Sequence, residues 1–133
     1  MRKTLNFNGA ETEFCSSAAT PILFKQVFKK DLLISLSAIR NEEDKTSKNV
    51  QLLDLIKELA YIMHAEAVGG SLFNTLTYDG YIKWLMSCDT NAFDDGAFNE
   101  AIIKLWRGNS DSSSESKNAQ SQPQENSIPQ STC

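Results

Sequence analysis

From about Asn49 to Ala67 the apolar residues recur with a helical period. Leu52, Ile56, Leu59 and Met63 fall on one line, and Leu53, Leu55, Ala60 and Ile62 widen it. Such a segment spans roughly 28 Å at ~1.5 Å per residue, and a face this wide has to be covered from more than one side. The rest of the chain must therefore supply neighbours for a central helix. Gly69-Gly70 ends it, because glycine accepts the left-handed conformation that closes a helix.

The neighbours are legible as shorter helices. Thr20-Pro21 is a helix start, with the threonine placed to cap a free amide and proline tolerated in the first turn. The first helix is expected from Pro21 to Lys29, with Ile22, Leu23, Val27 and Phe28 as apolar positions and Lys25, Lys29 and Lys30 at the end that favours positive charge. A second begins at Asp31 and runs through Leu32, Leu33, Leu36 and Ile39 to about Arg40. Asn41 to Lys48 carries no apolar anchor beyond the methyl of Thr46 and is expected to be an exposed, mobile connection. Thr77 or Asp79 opens a further helix carrying Tyr78, Tyr81, Ile82, Leu85 and Met86, with Trp84 on its flank. The run Asp94 to Trp106 places Phe98, Ile102 and Leu105 at helical spacing, and Arg107-Gly108 closes it.

Ahead of the helices, Leu5 and Phe7 alternate with Thr4 and Asn6, Asn8-Gly9 supplies a tight turn, and Glu11 to Cys15 alternates again. That is the pattern of a β-hairpin. Two strands alone are marginal in water, so Leu5, Phe7 and Phe14 are expected to rest on the helices. Beyond Arg107 the composition changes: Ala119, Ile128 and Cys133 are the only apolar residues among serine, glutamine, asparagine and proline. A core cannot form from such a stretch. The expected architecture is thus mainly α: one domain over residues 1–107, about five helices with an N-terminal β-hairpin, and a disordered tail over residues 108–133.

The function classes narrow by chemistry. A formal net charge of -4 is the wrong sign for a protein that binds by neutralising phosphates, which argues against nucleic acid. Cys15, Cys88 and Cys133 are far apart and in no paired spacing, so neither a disulfide framework nor a zinc site is expected, and a reducing compartment suits the chain. Met1-Arg2-Lys3 runs into alternating residues instead of a signal-peptide core, and no segment approaches the length of a membrane span. His64 is the single histidine, and Cys15 and Cys88 sit in apolar patterns that suggest burial. Asp94-Asp95 suits a helix start, while Glu42-Glu43-Asp44 suits an exposed loop. Asp89 to Asp94 has Phe93 where a calcium ligand should stand, and Gly69-Gly70-Ser71 follows a helix and has no phosphate-binding lysine. Neither a catalytic constellation nor a cofactor motif emerges, which leaves a helical binding module.

The order of features resembles the tail assembly chaperones of long-tailed bacteriophages and prophages of Gram-positive hosts. The resemblance rests on the opening hairpin Leu5-Asn6-Phe7-Asn8-Gly9, the segment Thr20-Pro21-Ile22-Leu23-Phe24-Lys25-Gln26-Val27-Phe28-Lys29-Lys30-Asp31-Leu32, the central helix from Leu52 to Ala67, and the aromatic helix around Tyr81-Ile82-Trp84-Leu85. It covers roughly residues 3 to 107 and is one of layout, with no catalytic motif in it. Membership would imply a non-enzymatic protein of the host bacterial cytoplasm that binds the apolar, helical tape measure protein, keeps it soluble and helps recruit tail tube subunits. Such a chaperone leaves before the virion is mature.

An apolar helical partner needs a matching apolar surface. The crowding of apolar residues on one short segment points to Phe24, Phe28 and Leu32 as contacts, with Lys25, Lys29 and Lys30 as a basic rim. Self-association is left open. The rival reading is a small helical DNA-binding transcription regulator, against which stand the net charge and the isolation of Lys83 and Lys104.

Overall fold

The computed structural model describes residues 1–70, 74 and 76–107. Arg2–Phe7 (β1) and Ala10–Cys15 (β2) form an antiparallel pair in which Arg2 faces Cys15 and Phe7 faces Ala10. Asn8 and Gly9 have φ of 55° and 83°, the pair of positive values that a two-residue type I′ turn requires. The hairpin bends where the sequence placed it.

The helices are Thr20–Phe28 (α1), Leu32–Asn41 (α2), Lys45–Val68 (α3), Tyr78–Met86 (α4) and Gly96–Arg107 (α5). This is the mainly α architecture expected, with α5 ending at Arg107. The tail expected over residues 108–133 lies outside the described residues.

Three local expectations are corrected. Residues 45–48, read as part of a mobile connection, form the first turn of α3, because Asp44 accepts a hydrogen bond from Ser47 N–H at 2.9 Å and caps the helix there. The connection shrinks to Glu42–Asp44, and α3 reaches 24 residues. Thr20 does not cap α1: the cap position is Ala19, which offers no side-chain bond. The Thr20 hydroxyl instead donates to Glu66 Oε2 and accepts from Ser17 N–H. The last helix opens at Gly96, not Asp94, with Asp95 Oδ1 accepting from Ala97 N–H at 3.0 Å.

The cysteine reading also changes. Cys15, fully buried on β2, is engaged in a disulfide, whereas Cys88 is a half-buried free thiol. Cysteine spacing therefore gives no argument about compartment.

The core is organised around α3. Leu59, Ala60, Tyr61, Ile62 and Met63 are consecutive and all fully buried, which an α-helix permits only when it is covered all round. β2 and the other helices provide that cover. The hairpin rests on the helices, as expected, and does so through an aromatic cluster. Phe7 packs against Phe14, Trp84, Phe93 and Phe98 with ring centroids 4.7–6.0 Å apart. Trp84 stacks on both Phe7 and His64, which ties α4 to the hairpin and to α3.

Candidate protein-binding surface on the first two helices

Each of the first two helices has one face on α3 and one in solvent. On α1, Phe24 and Val27 point inward, and Ile22, about 200° from Phe24 around the axis, points out. On α2, Leu32 and Ile39 are buried, while Leu33 and Ile34 turn away from the core. Asp31 starts α2 by accepting from Ile34 N–H at 3.0 Å. That cap fixes where the helix begins, and the docking of Leu32 and Ile39 on the core leaves Leu33 and Ile34 outside.

The six residues singled out from sequence divide accordingly. Phe24 is fully buried and Leu32 almost so, so in this fold neither offers its side chain to a partner. Their apolar crowding is explained by the core. Phe28 is half-buried, packed 5.1 Å from the Phe24 ring and 4.9 Å from Tyr81. Lys30 is drawn inward to an ion pair with Glu58 on α3, at 3.1 Å, with its ammonium 5.9 Å over the Phe24 ring. Burial raises the Glu58 carboxyl above its usual range, and Lys30 pulls it part of the way back. Lys25 and Lys29 remain exposed and in no ion pair among the described residues.

The sequence reading missed the side chains that do face solvent here. Ile22 is 68% exposed, Leu33 62% and Ile34 70%. Isolated exposed apolar residues are ordinary, but these three lie on the outer faces of consecutive helices, and on α1 Lys25 and Lys29 share the helical face of Ile22. Helical phase carried the signal, since Ile22 lies opposite Phe24 and Val27 in any helix begun at Thr20-Pro21.

A concavity of 470 Å³ lies between the hairpin and the helices α3 and α4, lined in part by Phe7, Glu13, His64, Trp84 and Cys88. It brings a thiol and an imidazole to one groove. Cys88, however, donates to Trp84 O at 3.4 Å, and burial pushes its thiol up, the opposite of what an activated nucleophile needs. His64 has its Nδ1 3.0 Å from Glu13 O, which commits that nitrogen to holding β2. Its neighbours are thus Glu13, Phe14 and Trp84 from other elements. Among the described residues no group of three His, Cys, Asp or Glu side chains is placed to hold a metal ion, and no helix is long and apolar enough to cross a membrane.

No family model matches this chain, and no characterised protein or solved structure matches it.

Proposed function

We propose that this chain is a non-enzymatic assembly chaperone of the phage tail type, acting in the host bacterial cytoplasm on the tape measure protein and absent from the finished virion. The proposal joins the resemblance in layout to one observation: Ile22, Leu33 and Ile34 stand in solvent on the outer faces of α1 and α2. A tape measure protein is long, helical and apolar, and in water it needs an apolar surface to lie against until tube subunits enclose it. Seating the three side chains against such a helix would contribute up to ~1.5–3 kcal/mol apiece from burial, less the cost of association. Lys25 and Lys29 would border the contact and meet carboxylates on the partner's polar face. Recruitment of tail tube subunits belongs to the same reading.

The test is co-expression with the tape measure protein of the same tail module, followed by solubility and co-purification. The expected result is a soluble partner that elutes with this chain, and loss of both effects in the triple variant Ile22→Ser, Leu33→Ser, Ile34→Ser, whose circular dichroism stays that of the parent. A partner that remains insoluble and unbound with the parent chain overturns the chaperone reading.

A further inference from the structure

Among the described residues, the β1 edge of the hairpin is open along its whole length. In an antiparallel pair, opposed residues alternate between those that exchange both backbone hydrogen bonds and those whose N–H and C=O point away from the partner strand. Phe7 and Ala10 flank the two-residue turn and exchange, and so do Leu5 with Thr12 and Lys3 with Phe14. The far end confirms the phase: Ser16 N–H donates to Met1 O at 2.7 Å, and the Met1 amine donates back to Ser16 O. The outward backbone groups are therefore those of Arg2, Thr4 and Asn6 on β1, and of Glu11, Glu13 and Cys15 on β2.

The two edges differ. On β2, Glu13 O is engaged by His64 of α3. On β1, the outward N–H and C=O groups of Arg2, Thr4 and Asn6 meet no hydrogen-bond partner among the described residues. Arg2, Thr4 and Asn6 are exposed, and neither a proline nor a bulge interrupts the strand. An open, regular edge of this kind is a template for another strand.

We infer that β1 pairs antiparallel with β1 of a second copy of this chain, about a two-fold axis through Thr4, to build a four-stranded sheet across two molecules. The strand's own pattern selects this occupant. With Thr4 facing the partner's Thr4, Arg2 faces the partner's Asn6 and Lys3 faces the partner's Leu5. All three outward residues then become exchanging pairs, and each outward N–H and C=O finds its complement. A shift of two residues in either direction strands one of the three.

Charge and side-chain matching agree with the same register. No basic residue lies directly opposite another, although Arg2 and Lys3 are adjacent in the strand. A threonine pair on the axis is a favourable cross-strand contact. The arrangement is isologous and closed, so it stops at two copies. A foreign strand would have to bring this complementarity with it, whereas a second copy already has it.

The experiment is sedimentation of the full chain over a concentration series, coupled to amide hydrogen exchange. The parent is expected to dimerise, with the outward amides of Thr4 and Asn6 protected in the dimer and released on dilution, while those of Lys3, Leu5 and Phe7 stay protected throughout. Thr4→Pro removes an outward N–H and leaves the hairpin ladder intact, so it should raise the dimer dissociation constant by at least about tenfold. Thr4→Val, which keeps that N–H, should leave it within about twofold. A chain that is monomeric at every concentration overturns the inference. So does a dimer whose Thr4 and Asn6 amides exchange freely, which would place the contact elsewhere. Protection of those amides only when another protein is added would assign the edge to a foreign strand and overturn it as well.

Discussion

Thr20 Oγ1 donates to Glu66 Oε2 at 2.6 Å, joining the first turn of α1 to the last turns of α3 across 46 residues of chain. Ser17 Oγ donates to the other carboxylate oxygen at the same distance. Thr20 is fully buried, so its hydroxyl has no water to fall back on. Burial raises the Glu66 carboxyl above its usual value, against the pull of the two hydroxyls and the N-terminal ammonium. A carboxyl raised in the folded state adds stability below its unfolded pKa and loses that contribution as pH rises through the folded value. Acidification from pH 7 towards 4.5 should therefore stabilise the parent relative to Glu66→Gln, as measured by urea midpoints across that range. Glu66→Ala should cost ~1–3 kcal/mol at neutral pH by leaving the Thr20 hydroxyl proton without its acceptor.

Asp44→Ala removes the cap that starts α3 and should cost ~1 kcal/mol. Amide exchange at residues 45–48 should speed up more than elsewhere in the helix. Were α3 to begin at Asn49 instead, the substitution would leave both stability and exchange unchanged.

The three lysines of the first segment should separate into two kinds. Reversing Lys30 sets like charges side by side with the largely buried Glu58 and should lower stability by about 1 kcal/mol, a modest figure because Lys30 is half exposed. Reversing Lys25 and Lys29 should leave the urea midpoint within ~0.5 kcal/mol. It should slow association with the tape measure protein at low salt and lose that effect at high salt.

Phe7→Ala should cost ~3–5 kcal/mol, since the ring is shared by β2, α4, α5 and the segment before α5. Near-ultraviolet circular dichroism should report the loss through Trp84, which stacks on Phe7. Ile22→Ser, a larger change of polarity but at a 68% exposed site, should leave the midpoint within ~0.5 kcal/mol.

How much of this the sequence disclosed depends on the kind of signal. The turn at Asn8-Gly9 and the central helix were legible because each rests on a strong local rule, positive φ in one case and a sustained apolar period in the other. The first turn of α3 was not, because residues 45–48 are all polar and only the Asp44-to-Ser47 cap marks them. Thr20 looked like a cap from its place before Pro21, and only the approach of Glu66 from a distant helix gives its hydroxyl another task. In the candidate surface, crowding of Phe24, Phe28 and Leu32 was visible, but crowding does not distinguish core from contact. The packing of Leu32 and Ile39 against the core does, and it leaves Leu33 and Ile34 outward.

Phe7 belongs to β1, and Phe98, its nearest ring at 4.7 Å, to α5. A ribosome adding ~5–20 residues per second needs roughly 5–20 s to make the stretch between them. Until α5 is made the hairpin has only the part of its floor that α3, Trp84 and Phe93 supply. The aromatic cluster is therefore closed only once α5 has emerged, and a nascent chain stalled before α5 would display the part of Phe7 and Phe14 that Phe98 covers.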